Sequence, residues 1–155
     1  MREIKFRGQD GKGKWHYGDL LTLRSGNYCI TDKNINVNYA VFTHTIGQFT
    51  GMRDRNGKEV YDGDIIKIHD ELVYGSNTEC GYEYDSTPVK TYALIEWSED
   101  ECAFRITRTN LGEYECESQF LYDVSPDGNG ETITSNVRYT EVVGNVYDNP
   151  ELLEE

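Results

Sequence analysis

Apolar and polar residues alternate in short runs along most of this chain, and the spacing of the apolar positions is typical of strands. Near the start, Ile4 and Phe6 alternate with charged neighbours, as in a half-buried strand. Further strands are predicted over residues 15–23, 28–31, 40–49, 92–97, 102–107 and 139–147. Helical spacing of apolar residues is almost absent. The pattern predicts an all-β fold, a compact SH3-like or similar small barrel or sandwich of short antiparallel strands.

Glycine and asparagine mark the turns between these strands. Residues 24–27 contain both and predict a hairpin between the second and third strands. The dipeptide Asn56-Gly57 favours a type I′ turn, so we expect a tight hairpin over residues 52–61. Gly63 lets the chain turn sharply into the strand that follows it.

Several side chains are assigned to faces by the two-residue period. His44 shares a predicted strand face with Phe42 and Ile46, so a partly buried imidazole is expected. The strands on either side of residues 98–101 each place three residues on a face expected to enter the core: Ala93, Ile95 and Trp97, and Cys102, Phe104 and Ile106.

A single domain over residues 1–155 is predicted, with two long excursions. Residues 69–90 and 108–138 are long for connections and are expected to form hairpins or loops. At the carboxyl end, Asn149 is the predicted N-cap and Pro150 the first residue of a short helical turn.

Charge changes the picture, because it is unevenly spread over a chain of 155 residues with a net charge of −13. Residues 1–33 hold seven Lys or Arg against four acids, residues 34–68 hold four of each, and residues 69–155 hold four against twenty. Such a field repels phosphates, so direct nucleic-acid binding is not expected. The acidic surface is expected to solubilise the protein or to recognise a basic partner.

No apolar run approaches the length of a membrane span, and no secretory signal is visible, so a cytoplasmic protein is expected. The cysteines Cys29, Cys80, Cys102 and Cys116 form no C-x-x-C pair, which favours reduced thiols over a zinc or redox site. No nucleotide fingerprint is present, and no cofactor is predicted.

One loop resembles a calcium-binding sequence. Oxygen-bearing side chains stand at EF-hand-like spacing, but Thr134 replaces the bidentate glutamate, and this loss should weaken calcium binding severely. The weak calcium candidates are Asp123, Ser125, Asp127, Asn129 and Glu131.

Clustered acids and tyrosines supply the remaining candidate chemistry. Paired carboxylates for a hydrolase could come from Asp62, Asp64, Glu96, Glu99, Asp100 and Glu101, although acids beside turns usually serve the turn itself. Tyrosine is enriched at protein interfaces. The candidate interface residues in the acidic half are Tyr74, Tyr82 and Tyr84.

Three blocks of sequence, residues 1–8, 46–66 and 142–153, resemble the YopX family of phage and prophage proteins. The resemblance implies a compact, mainly β protein encoded by a temperate phage or its integrated remnant. It implies no catalytic or binding residues. The residues assigned a structural role within the second and third blocks are Gly47, Gly51, Asn56, Gly57, Gly63, Asp64, Gly144, Asn149 and Pro150.

The sequence therefore predicts a non-enzymatic accessory protein that acts through protein contacts with a partner or with another copy of itself. One alternative is an acidic DNA mimic that antagonises a host nucleic-acid-binding protein. A second alternative is a carboxylate-dependent hydrolase.

Overall fold

A computed structural model describes residues 3–78, 81–108, 119–120 and 140–154, with side chains in 3–67, 92–107 and 140–154. Two 3₁₀ turns, η1 (Thr43–Thr45) and η2 (Pro150–Leu153), accompany the strands. The strands are β1 (Phe6–Gln9), β2 (Trp15–Thr22), β3 (Tyr28–Asp32), β4 (Val37–Val41), β5 (Gly47–Arg53), β6 (Glu59–Tyr61), β7 (Asp64–Thr78), β8 (Gly81–Ser98), β9 (Ala103–Arg108), β10 (Gln119–Phe120) and β11 (Glu141–Asn145).

These strands form two antiparallel sheets. The first has six strands in the order β4-β3-β2-β1-β5-β6, and the second has five in the order β10-β9-β8-β7-β11. The predicted all-β class is confirmed, and the arrangement resembles a small sandwich. Its main hydrophobic cluster joins Met52 and Val60 of the first sheet to residues of the second: Ile66, Ala93, Ile95, Phe104, Ile106 and Val142. Among the described residues, no helix is long and apolar enough to cross a membrane.

The predicted hairpin over residues 52–61 is present, but its turn is not type I′. A type I′ turn needs positive φ at both central residues. Gly57 has φ +80°, whereas Asn56 is not among the described residues with positive φ. The Asp54 carboxylate accepts hydrogen bonds from the N–H groups of Asn56 (2.8 Å) and Lys58 (2.9 Å). Its side chain thus favours a turn over residues 54–57 that ends on a left-handed glycine.

The same turn recurs where β1 meets β2 and where β2 meets β3. In each hairpin the glycine has positive φ, namely +80° at Gly13 and +84° at Gly26. The N–H of each glycine donates over 2.9 Å to the carbonyl three residues before it, Asp10 and Leu23 respectively. The predicted hairpin around residues 24–27 is therefore confirmed.

The single strand predicted over residues 40–49 is wrong, because η1 separates β4 from β5 there. The Thr45 hydroxyl donates to the Phe42 carbonyl (2.8 Å) and accepts from the Gln9 N–H (2.9 Å). The Phe42 N–H also donates to the Gln9 carbonyl over 2.9 Å. Bonds to β1 thus redirect the chain, which places His44 on the exposed surface instead of a buried strand face.

Three face assignments also need correction. Trp97 is 42% exposed although its neighbours on the same face, Ala93 and Ile95, are fully buried. Cys102 is exposed and has φ +52°, which places it in the turn before β9. At the start of the chain, Ile4 is 63% exposed whereas Arg7 is only 5% exposed.

The carboxyl-terminal turn forms as predicted, with Pro150 as its first residue, but the predicted cap is wrong. Asn149 makes no side-chain capping hydrogen bond. Its side-chain amide instead lies over Gly144, where an added Cβ would be 2.5 Å from the Asn149 oxygen. Packing against β11 therefore occupies the group that would otherwise cap the turn.

Residues 69–78 and 81–90 belong to the hairpin of β7 and β8, whose register runs from Ile65 opposite Leu94 to Thr78 opposite Gly81. Its outer part extends past the described strands that flank it, since the described pairing of β11 with β7 covers Asp64–Lys67. The described part of the excursion is thus an extended hairpin.

We expect Gly47→Ala to destabilise the fold. A Cβ at residue 47 would lie 2.4 Å from the Asp62 carbonyl oxygen, so the backbone must shift. The expected loss is about 1–3 kcal/mol in the free energy of unfolding, measured by urea denaturation. Gly11→Ala is the matched control because no atom lies within 4 Å of its added Cβ. Equal effects of the two substitutions would contradict the proposed close approach.

Candidate functional site

Arg7 is the central charged residue of the described structure. It lies on β1, yet its side chain is only 6% exposed. The guanidinium pairs with the Asp64 carboxylate and donates a hydrogen bond of 2.9 Å to the Asp62 carbonyl. The rings of Trp15 and Tyr61 lie 4.9 and 5.3 Å from the guanidinium carbon, within cation–π distance. Arg7 is therefore held by ionic, hydrogen-bonding and aromatic contacts together.

The Arg7 contacts join the two sheets. Asp64 is the first residue of β7, and its second carboxylate oxygen accepts the Tyr61 N–H at 2.8 Å. Burial raises the pKa of Asp64 above its ordinary value, and the nearby Arg7 charge opposes that shift. Burial likewise raises the pKa of Asp62. The Nε of Arg7 is buried with no hydrogen-bond partner among the described residues.

Two glycines in this part of the fold have positive φ. Gly63 has φ +81°, and a Cβ added there would lie 3.3 Å from the Tyr147 ring and 3.6 Å from the Arg7 guanidinium. Gly51 has φ +90° and lies where the pairing of β5 with β6 shifts between Phe49 and Arg53. Both glycines thus adopt a backbone conformation that other residues rarely reach.

The acids considered for hydrolysis are mostly engaged with their own chain. Asp62 accepts the Trp97 N–H at 3.1 Å, and the nearby Glu96 charge contributes to its raised pKa. Glu96 accepts a hydrogen bond from the Thr107 hydroxyl. In the following turn Glu101 pairs with Arg105, while Glu99 and Asp100 are exposed. The structure brings Asp62 and Asp64 to Arg7, and it leaves the acids of residues 99–101 in the turn.

The described cysteines and histidines do not form a cluster with one another. Cys29 is buried, Cys102 is exposed, and both thiols are free. His16 is buried, its Nε2 lies 2.8 Å from the Asp10 carboxylate, and its ring stacks on Tyr39 with centroids 3.7 Å apart. Among the described residues, no group of three metal-ligating side chains is found.

An aromatic cluster lies on the surface beside Trp15. Phe42 and Tyr147 are 49% and 36% exposed, and the exposed His44 contacts both rings at centroid distances of 5.6 and 6.1 Å. Tyr147 also contacts Trp15 at 5.8 Å. The Trp15 indole N–H donates to the Asp148 carboxylate at 2.7 Å, and this hydrogen bond fixes the orientation of the Trp15 ring. We call Phe42, His44 and Tyr147 the aromatic cluster.

Sequence reasoning did not identify Arg7 or the aromatic cluster. The alternating pattern predicts that Arg7 points outward, like the other charged residues of the first strand. The one feature that could have drawn attention to Arg7 is its place in the first YopX-like block. Tyr147 stands far from Phe42 and His44 in sequence, so no spacing rule links them. Their proximity requires β11 to return beside η1.

The other candidate residues lie in parts of the chain where side chains are not described. Tyr74, Tyr82 and Tyr84 stand in β7 and β8, opposite Asp85, Asn77 and Gly75 respectively. The calcium candidates lie outside the described residues altogether: Asp123, Ser125, Asp127, Asn129 and Glu131. Both assignments stay predictions.

We expect Arg7→Gln to destabilise the protein strongly, because it leaves the buried Asp64 carboxylate without its cation. Breaking a buried pair in this way costs about 3–5 kcal/mol in the free energy of unfolding, measured by urea denaturation. Arg55→Gln removes the same charge from an exposed side chain and should cost under about 1 kcal/mol. Similar losses in the two variants would contradict a structural role of the Arg7 pair.

Asp10 should give the protein a measurable dependence on acid pH. The hydrogen bond to His16 and those from the Lys14 and Lys12 N–H groups lower the Asp10 pKa from 3.8 to about 2. A lowered carboxyl pKa stabilises the folded state above the unfolded pKa, and this stabilisation is lost as pH falls through the folded pKa. We therefore expect Asp10→Asn to lower the free energy of unfolding at neutral pH.

The difference in the free energy of unfolding between wild type and Asp10→Asn should disappear as pH falls from 3.8 to about 2. Urea denaturation over this range measures it, and titration of the wild-type Asp10 carboxyl by NMR gives the pKa directly. Asp19→Asn provides the control at a carboxylate that is half-exposed and pairs with Lys33. A normal Asp10 pKa would contradict the prediction.

Comparison with known proteins bears out the resemblance seen in the three blocks. Residues 5–154 match the family described as YopX protein, so the match spans nearly the whole chain. A search of curated proteins finds no match. This chain therefore belongs to the YopX protein family.

Proposed function

We propose that this protein is a phage or prophage accessory protein of the host bacterial cytoplasm that acts through protein contacts and not by catalysis. The contact best supported by its geometry is between two copies of the chain. The observation that carries the proposal is one edge of the six-stranded sheet, residues 34–42, which we call the uncharged edge.

The uncharged edge is unusual in so acidic a protein. Residues 34–52 contain no Asp, Glu, Lys or Arg, although the chain carries a net charge of −13. Within the edge, three large apolar side chains face solvent: Ile35, Val37 and Phe42 are 58%, 40% and 49% exposed. Exposed apolar surface of this kind often marks a protein contact.

The backbone of β4 within the uncharged edge is also open to pairing, whereas the Phe42 N–H at the end of the edge already donates to the Gln9 carbonyl of β1. Strand β4 pairs with β3, and no other described strand pairs with it. An edge strand presents unpaired N–H and C=O groups that another strand can meet. Neither lysine nor proline, two residues that commonly block such pairing, occurs in Val37–Val41.

Charge favours a second copy as the occupant of this edge. Two molecules that each carry −13 repel one another over most of their surfaces, so they approach best where charge is absent. Antiparallel pairing of β4 with its equivalent would place the same patch on both sides, as a two-fold symmetric contact requires. The aromatic cluster continues from Phe42 and would add ring contacts at the margin.

The two alternative functions stay predictions. DNA mimicry depends on the placement of the acidic side chains, and 11 of the 28 Asp and Glu lie in residues 69–90 and 108–138, where side chains are not described. A hydrolase would require at least two acids to converge on a substrate, and the described acids considered for that role are bonded within the chain or exposed.

Charge on the uncharged edge should abolish self-association. We expect wild-type protein to populate a dimer in sedimentation equilibrium and native mass measurements, and Ala40→Glu to shift it to monomer because equal charges would meet at the interface. Leu21→Glu makes the same charge change at a residue 42% exposed outside the edge and should leave the dimer intact. Circular dichroism and urea denaturation verify that both variants fold.

Salt separates this contact from one driven by charge attraction. Screening weakens the repulsion between two acidic copies, so the dimer fraction should rise with ionic strength. A contact between the basic amino-terminal third of one copy and the acidic part of another would weaken instead. A monomer under all conditions, or a dimer lost on adding salt, would contradict pairing through the uncharged edge.

A further inference from the structure

A cleft opens beside the Arg7 centre, between β1, β2 and the β5–β6 hairpin. Its volume is about 420 Å³, within the range of about 300–1,000 Å³ typical of small-molecule sites. Arg7 and Asp64 contribute to its lining, and the hairpin forms one wall. The remaining lining residues are Lys5, Tyr17, Arg53, Gly57, Lys58, Glu59 and Tyr61.

The cleft is cationic in a strongly acidic protein. Four basic side chains line it against two acidic ones. Glu59 accepts hydrogen bonds from Lys5 (2.6 Å) and Arg53 (2.7 Å), so one carboxylate is shared by two cations. Asp64 forms an ion pair with Arg7, which neutralises its charge. Pairing within the cleft therefore leaves an excess of positive charge.

Lys58 contributes most clearly to that excess. Its Nζ has one described contact, a carbonyl oxygen of Val142 at 3.4 Å, and that contact does not neutralise the ammonium group. Arg53 adds a cation whose side chain is 54% exposed, so its guanidinium is accessible from solvent. Both residues line the cleft.

The opposite wall is aromatic. Tyr17 is 45% exposed, and it packs edge to face on Tyr61 with ring centroids 5.5 Å apart. Tyr61 is buried, and its hydroxyl donates to Glu59 at 2.7 Å. The pair of rings thus forms a supported flat surface beside the cations, a combination that suits a ligand with a charged group and a planar body.

We propose that this cleft binds a small organic anion, whose phosphate or carboxylate group lies near Arg53 and Lys58 and whose flat apolar part packs on Tyr17. This site is separate from the uncharged edge and goes beyond self-association. Phosphate and carboxylate share the chemistry that the cations recognise, and the flat body gives the ligand its contact with the aromatic wall.

Three probes test the proposal: phenyl phosphate, benzoate and inorganic phosphate. Amide chemical shifts followed by NMR during titration should map phenyl phosphate or benzoate to β1, β2 and the β5–β6 hairpin. Whichever of these two probes binds more tightly shows whether the cleft prefers a phosphate or a carboxylate group. Inorganic phosphate should bind more weakly than phenyl phosphate because it lacks the ring that contacts Tyr17.

Matched variants separate the site from general charge effects. Lys58→Gln should weaken phenyl phosphate binding at least fivefold, whereas Lys14→Gln, which removes the same charge from an exposed residue outside the cleft, should change it less than twofold. Tyr17→Ser should reduce phenyl phosphate affinity to that of inorganic phosphate. Urea denaturation and the oligomeric state of each variant show that the fold and the dimer are unchanged.

Two results would overturn the proposal. One is the absence of shifts in the cleft with all three probes at millimolar concentration. The other is an equal loss of binding in Lys58→Gln and Lys14→Gln, which would mean that the anions respond only to net charge. Neither result bears on self-association through β4, because that contact is measured without any ligand.

Discussion

The buried pair of Arg7 and Asp64 is the interaction on which the rest of the described structure depends. It joins β1 of one sheet to the first residue of β7 in the other. A charge in this environment is tolerated only when an opposite charge and hydrogen bonds accompany it. Here the Asp62 carbonyl, the Tyr61 N–H and two aromatic rings complete its surroundings.

A second carboxylate ties the sheets together at a distance from the first. Asp54 accepts two N–H groups of its own turn through one oxygen, and through the other it accepts the N–H of Val142 at 3.0 Å. The Arg55 N–H donates to the Thr140 carbonyl over 3.1 Å. The β5–β6 hairpin is therefore fixed to β11, which explains why such a short strand as β6 can form one wall of a cleft.

The distribution of charge links the fold to its two proposed surfaces. Acids dominate the chain, yet the uncharged edge carries no formal charge and the cleft beside Arg7 carries an excess of cations. A uniform solubilising surface would not require either exception. Self-association and anion binding use these exceptions in different ways, since one needs charge to be absent and the other needs it to be reversed.

The sequence by itself determined the strand class, the hairpins and the positions of most turns, because these follow from the two-residue period and from the backbone freedom of glycine. Asn56-Gly57 located a hairpin correctly, although the Asp54 side chain changed its turn type. Gly63 and Pro150 also lie where their local chemistry predicts, at a sharp turn and at the start of a helical turn.

Only the tertiary structure decided which charged and aromatic residues meet. Arg7 belongs to a strand whose pattern favours outward charges, and its burial depends on an acid 57 residues away. The break between β4 and β5 depends on two hydrogen bonds: the Gln9 N–H donates to the Thr45 hydroxyl, and the Phe42 N–H donates to the Gln9 carbonyl. Long-range contacts of this kind leave no periodic signal in the sequence, because they are set by how the two sheets pack and not by any local preference.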